Sequence, residues 1–217
     1  MSISIFDNKY LSKYNIFKGV FKRNKKLLAV SIIIFFVPLF IGIIVGYLST
    51  ALVGNFLTSF SNELSSQVDI STASIFMHNI RTAFMAYAGG IIGIATAVLL
   101  SLNGFILGAF LGYFTNGGAI NHAGVSPLVF VSYVVPHGIF EIPAIIIACT
   151  AGFRLTSIII DLINSLRGKP YINNDYLKFK DSMALLIIAV ILFAIAAVIE
   201  ANFTVPIGNY ITGLNFH

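Results

Sequence analysis

A histidine, a glycine and an acid interrupt a long apolar run between residues 131 and 147. His137, Gly138 and Glu141 lie there among valine, isoleucine, phenylalanine and proline residues. A carboxylate near the centre of a bilayer costs roughly 2.5 to 3.5 kcal/mol even on lenient insertion scales, so it persists only where it is neutral, paired or beside a polar cavity. Glu141 therefore needs a partner, and His137, four residues earlier, would share its helical face. Pro136 is suited to begin a half-helix, and Gly138 to let another backbone approach.

Other polar residues in apolar stretches are candidates for the same intramembrane polar cluster. They are Asn79, Arg81, Asn103 and Glu200. We expect them to form an internal network with His137 and Glu141 that fixes the register of the helices. We also expect Arg81 and Glu200 to pair with each other, because a pair would tie their two helices together.

The spacing of His137 and Glu141 also suits two ligands of one metal ion. A zinc site normally uses three protein ligands and an open position, and the His-Glu-x-x-His signature is absent from the sequence. Cys149 stands alone in an apolar run, which favours a small packing residue. The sequence therefore predicts no metal site, no cofactor and no catalytic residues.

Composition indicates the environment in which these residues are positioned. Of the 217 residues 58% are hydrophobic and 10% are charged, and long apolar stretches recur along the chain. This pattern predicts an all-α, polytopic helical membrane protein with about five spans, some of them broken or short, and with interfacial amphipathic helices. The expected spans are about 27–49, 74–101, 104–117, 127–152 and 182–201. They form one transmembrane domain, 27–217, which follows an amphipathic segment at 1–26.

Two interruptions of these spans are expected. Asn103 and Gly104 indicate a tight turn between the second and third spans, and Pro136 to Gly138 indicate a break in the fourth. The third span has only some fourteen residues against the roughly twenty needed to cross, so it is either short or re-entrant.

Charge placement predicts the orientation of the chain in the cell membrane. All of the 13 basic residues except Arg81 lie before the first expected span or between the fourth and fifth. By the positive-inside rule these regions are cytoplasmic, so the N-terminus is inside and, after five crossings, the C-terminus is outside. The basic N-terminal segment alternates with apolar residues, which favours an anionic lipid surface over nucleic acid.

Glycines recur at four-residue spacing in three places. These are Gly42 and Gly46, Gly89 and Gly93, and Gly104, Gly108 and Gly112. In lipid, small residues at this spacing let helix backbones approach and gain dispersion contacts. We expect helix packing within one subunit at these positions, with a seam between two copies as the alternative.

Three stretches in the right order resemble the stage II sporulation protein M family of integral membrane proteins. They are residues 76–83 followed by Gly90 and Gly93, residues 103–108, and residues 136–144; a fourth, residues 197–206, resembles the ending of that family. The resemblance implies a multi-helix membrane protein. It also implies that sporulating members remodel the cell envelope with peptidoglycan-degrading partners.

Three functional classes remain open on these observations. The favoured one is a non-enzymatic membrane factor that scaffolds a cell-envelope complex, in contact with the lipid bilayer, with other membrane or envelope proteins, or with further copies of itself. The alternative is a small-solute or ion transporter or channel that uses His137 and Glu141. An intramembrane metal-dependent hydrolase is the least favoured class.

Overall fold

The computed structural model of the protein describes residues 17–56, 72–116, 127–168 and 175–213. Every regular element in these ranges is helical, which confirms the all-α fold class. The α-helices are α1 (Val20–Arg23), α2 (Lys25–Leu48), α3 (Thr72–Ala88), α4 (Ile94–Thr115), α5 (Pro127–Leu166), α6 (Asp175–Ile199) and α7 (Val205–Thr212). A 3₁₀ turn, Gly89–Ile91, joins α3 to α4, and a π-helical turn, Glu200–Thr204, joins α6 to α7.

Four stretches of the described chain are long and apolar enough to cross a membrane. They are Lys25–Leu48, Ile94–Thr115, Leu128–Leu166 and Tyr176–Thr212. The 17 residues of α3 stand at the short end of the range that a spanning helix needs. The multi-pass prediction of about five spans is therefore consistent with the structure.

One end of the bundle is held by an ionic cluster, and we call it the basic end. The Arg23 guanidinium donates hydrogen bonds of 2.6 to 3.0 Å to both oxygens of the buried Asp181 carboxylate, and Asp181 Oδ2 also lies 3.7 Å from the Arg154 guanidinium. Asn24 donates to the same carboxylate over 3.1 Å. Through these charge-assisted contacts the cluster joins the beginning of α2 to α5 and α6.

Helices α2 and α4 run parallel and meet through their glycines. Gly104, Gly108 and Gly112 face the carbonyl oxygens of Phe35, Leu39 and Ile43 in that order. From the other side, Gly42 and Gly46 face the backbone of residues 105–109 and 109–113. A Cβ at any of these glycines would collide with backbone, so the absence of side chains permits the contact. We call this surface the glycine seam.

The parallel packing of α2 and α4 determines how the chain crosses the bundle. Both helices start at the basic end, because Arg23 contacts Asp181 and Gly90 packs on Gly152. The chain must therefore return to the basic end between them, and α3 provides the final part of that return. Helices α5 and α6 are antiparallel, since Ser182 bonds Ala151 near the basic end and Tyr133 bonds Asn209 near the other.

The expected turn at Asn103 and Gly104 is replaced by continuous helix. Helix α4 runs through both residues, and the Asn103 amide donates to the Leu99 carbonyl one turn earlier over 2.8 Å. The turn lies instead at residues 89–93, where Gly93 has a φ of +75° that favours glycine. The expected spans 74–101 and 104–117 are therefore replaced by α3, which ends at Ala88, and α4, which begins at Ile94. Gly89 and Gly93 lie in the turn between them.

The first expected span, 27–49, corresponds to α2, whereas the fourth and fifth are parts of helices longer than predicted. Helix α5 continues from Pro127 to Leu166 without a separate surface helix, and α6 already begins at Asp175. The paired charges of Lys178 and Asp161 join these two extensions beyond the ionic cluster. Most of the expected amphipathic segment at 1–26 lies outside the described residues. Within residues 17–26, Val20 is buried while Phe17 and Phe21 are exposed.

Candidate intramembrane site

Three titratable side chains meet inside the bundle, away from the basic end. His137 and Glu141 lie one turn apart on α5, with Nε2 of the histidine 3.8 Å from Oε2 of the glutamate. Glu200 comes from the start of the π-helical turn after α6. One ligand atom from each of the three residues lies within 4.8 Å of the other two. We call His137, Glu141 and Glu200 the acid–histidine trio.

Helix α5 positions two members of the trio without the expected break. Pro136 and Pro143 both lie inside the continuous helix. An added Cβ at Gly138 would contact only the Val134 and Ile142 side chains, at 3.7 and 3.9 Å. No backbone presses against this glycine within the described part of the chain, so the expected close approach at Gly138 is absent there.

The π-helical turn positions the third member. A π turn takes more than four residues per revolution, so Glu200 and Thr204 face nearly the same direction. The Thr204 hydroxyl lies 3.4 Å from Nδ1 of His137 and 3.4 Å from the Ile199 carbonyl oxygen. When Nδ1–H donates to Thr204, Nε2 of His137 carries the lone pair, and this nitrogen is the one that lies near Glu141.

The trio lies on the wall of a cavity of about 560 Å³. Most of the lining is aliphatic or aromatic, and its polar members are Thr82, Asn103, His137, Glu141 and Glu200. Leu102 and Ile106 line the cavity and are 52% and 37% exposed, so the cavity opens at the side of α4. That opening faces the region where lipid surrounds the bundle.

The structure brings some of the predicted site residues together and separates others. Asn103, Gly138 and the trio line the cavity. Asn79 is buried on α3 but outside the cavity lining, and its Nδ2 lacks a hydrogen-bond partner within the described ranges. Two members of the predicted polar cluster, Asn79 and Arg81, therefore do not line the cavity.

The predicted pair of Arg81 and Glu200 is not formed. The buried positions of α3 are Asn79, Ala83 and Ala86, which places Arg81 on the opposite, exposed face of the helix. Glu200 instead faces His137 and Glu141. Because Arg81 projects from the face of α3 opposite to its buried residues, its side chain does not reach Glu200.

Two residues at the site were missed by sequence reasoning. Thr82 lines the cavity from α3, and Thr204 bonds the His137 ring. A signal for Thr204 existed, because it stands four residues after Glu200 in an apolar stretch. Which face of the chain meets the histidine is decided by how this segment packs on α5.

Comparison with known proteins identifies relatives of the chain. A family model described as "Stage II sporulation protein M" matches residues 31–205. An uncharacterized protein of Methanocaldococcus jannaschii is 31% identical over 145 residues, which cover 66% of this chain and 76% of that protein. A second uncharacterized protein of the same organism is 31% identical over 137 residues, or 63% of this chain and 56% of that protein. No solved structure matches.

Proposed function

The chain belongs to the stage II sporulation protein M family, and from that premise we propose that it is a non-enzymatic membrane factor that assembles with another membrane protein. The observation that supports this role is the position of Arg81. It lies on an exposed face of α3 together with Met77, Phe84 and Met85. No hydrogen bond or ion pair reaches Arg81 from any residue that the structure describes.

The depth of Arg81 makes this exposure costly in lipid. Gly90 packs on Gly152, two residues from Arg154 in the ionic cluster, and so lies near the basic end. Nine residues of helical rise place Arg81 roughly 13 Å further into the bundle. A basic side chain at the centre of a bilayer costs about 2.5 to 3.5 kcal/mol on insertion scales, and a partner carboxylate would remove much of that cost.

The chemistry of the partner follows from the acids of this chain. The structure gives the burial of four acidic residues, and all four are buried or half-buried. They are Glu141, Asp161, Asp181 and Glu200. On a second copy these carboxylates are partly covered and already have neighbours: the Glu141 side chain is 37% exposed beside His137, and the Asp161 side chain is 33% exposed and paired with Lys178. A different membrane protein with a carboxylate at bilayer depth is the partner that this face fits.

Photo-crosslinking in the cells that naturally make the protein tests this role. A crosslinking amino acid at Phe84 should capture a membrane protein, and Arg81→Met should abolish the capture, while the matched His78→Gln on the same face should preserve it. Exchanging the charges, with Arg81→Glu and a basic residue in place of the partner carboxylate, should restore it. Capture of lipid alone, or capture that is insensitive to Arg81→Met, would refute the assembly role.

The orientation of the chain is part of the same proposal. By the positive-inside rule the basic end faces the cytoplasm and α7 lies near the outer surface. Leu166 and Tyr210 are 80% and 91% exposed and lie towards opposite ends. In a Cys149→Ala background, a membrane-impermeant maleimide added to intact cells should label Tyr210→Cys and spare Leu166→Cys. The reverse labelling pattern would invert the orientation.

A second candidate function, transport of an ion or small solute, is favoured by the cavity and its trio. Titratable groups inside a membrane bundle often lie on ion or proton pathways. Proteoliposomes with an entrapped pH indicator test this function for protons. Faster dissipation of an imposed pH gradient by the unmodified protein than by Glu141→Gln and Glu200→Gln would support it. Equal rates for all three would argue against proton movement through the site.

A further inference from the structure

We propose that the acid–histidine trio binds one divalent transition-metal ion of the zinc class. The three residues supply one imidazole nitrogen and two carboxylates from two separate segments of the chain. Zinc accepts this combination of ligand types and commonly keeps a fourth position open. The inference goes beyond the assembly role and is independent of it. The proposed partner would contact the exposed face of α3 around Arg81, whereas the ion would bind in the cavity.

The distances within the trio are close to those of a coordination shell. Two ligands of one zinc ion, each at about 2.0 to 2.2 Å from it, are separated by roughly 3.4 Å in a tetrahedron. The observed separation between His137 Nε2 and Glu141 Oε2 is 3.8 Å. Small rotations of the two glutamate side chains would complete the shell, because the farthest ligand atoms lie no more than 4.8 Å apart.

The hydrogen bonds of His137 prepare it for this role. A metal-bound histidine usually donates its second ring N–H to an oxygen, which fixes both the tautomer and the ring orientation. Here Thr204 Oγ1 lies 3.4 Å from Nδ1, and the Thr204 hydroxyl can donate in turn to the Ile199 carbonyl. Nε2 is thereby left as an acceptor next to Glu141. Thr204 is a positioning residue in this arrangement.

The charges of the trio also favour a divalent cation. Two carboxylates lie close together inside a largely apolar wall, and the described lining of the cavity contains no lysine or arginine. Two like charges in such surroundings repel each other and lose hydration. One divalent ion neutralises both carboxylates at once, and it joins α5 to the turn that follows α6.

The cavity determines what the open coordination position would face. It has room for several water molecules or for a small ligand next to the trio. The remaining lining is mainly aliphatic and aromatic. A ligand with an oxygen donor on an apolar group would therefore place its oxygen on the ion and its apolar group against this lining. The site is therefore expected to accept a water molecule as its fourth ligand when no such group is present.

Metal titration of the purified full chain in detergent tests the proposal. After removal of metals with a chelator, Co²⁺ is followed by its visible absorption and Zn²⁺ by calorimetry. We expect one ion per chain, and binding weaker by more than about 100-fold in His137→Gln, Glu141→Gln and Glu200→Gln. Thr204→Val should weaken binding about 10- to 100-fold, as expected for loss of a hydrogen bond to a ligand.

Matched controls separate the site from adventitious binding. His78→Gln removes an exposed histidine of α3, and Asp161→Asn removes a carboxylate near the basic end. Both should bind metal as the unmodified protein does. If a ligand variant does not fold, as judged by thermal unfolding and gel filtration, Thr204→Val decides the question. Absence of stoichiometric binding to the folded unmodified protein would overturn the proposal. Undiminished binding in folded His137→Gln, Glu141→Gln, Glu200→Gln or Thr204→Val would also overturn it.

Discussion

The glycine seam and the trio cavity lie in the same helical bundle and differ in what fills the space between helices. At the seam, glycines of α2 and α4 lie directly against the backbone of the other helix. At the cavity, the helices stand far enough apart to leave about 560 Å³ and to accommodate three titratable side chains. The seam joins helices without polar side chains, whereas the cavity holds polar side chains without close packing.

Phe35 shows that the two regions are adjacent. Its carbonyl oxygen faces Gly104 in the seam, and the residue also lines the cavity. Its side chain is 1% exposed. Helix α4 therefore has backbone contact with α2 on one side and lines the cavity with Leu102, Asn103 and Ile106 on another.

The largest expected effect comes from adding one methyl group to the seam. In Gly108→Ala the new Cβ would collide with the Leu39 carbonyl and lie 3.0 Å from the Ile43 nitrogen. Because backbone on both sides must shift, we expect a loss of about 3 kcal/mol or more in the free energy of unfolding. Gly138→Ala is the matched control at the cavity, where the nearest atom is 3.7 Å away. Thermal unfolding in detergent compares them, and equal losses would contradict the distinction.

A smaller effect is expected when the polar chemistry of the cavity is removed. Glu141→Leu deprives His137 of its neighbour and should cost about 1 to 3 kcal/mol of unfolding free energy in metal-free protein. Glu141→Gln keeps the size and much of the hydrogen bonding, so its stability should stay near that of the unmodified protein. Chemical unfolding of the two variants measures the difference. A Gln variant as unstable as the Leu variant would mean that the charge, and not the hydrogen bonding, stabilises the trio.

The smallest expected effect concerns Arg81 and Glu200. Arg81 is on the exposed face of α3 and Glu200 faces the trio, so the two substitutions Arg81→Met and Glu200→Gln should act independently. In a double-mutant cycle on unfolding free energy, we expect additivity within about 0.5 kcal/mol. A larger coupling energy would show that the two side chains meet and would return Arg81 to the cavity.

Much of the fold could be predicted from the sequence, and the errors are confined to particular residues. Asn103 and Gly104 are a common turn signal, yet in α4 the Asn103 amide bonds the carbonyl one turn back and the helix continues. Pro136 and Pro143 are also accommodated within α5. A polar or helix-breaking residue predicts a break only when nothing else satisfies the backbone, and that depends on neighbours the sequence does not identify.

The sequence by itself determined the membrane class, the helical architecture, the family and the identity of the polar residues. These follow from composition, apolar run length and local motifs, all of which are properties of short stretches of chain. Only the tertiary structure decided which polar residues meet. Glu200 joins His137 and Glu141 because the end of α6 packs beside α5, and Arg81 faces outward because Asn79, Ala83 and Ala86 take the buried face of α3. Such choices depend on how helices distant in sequence pack, and no local pattern contains that information.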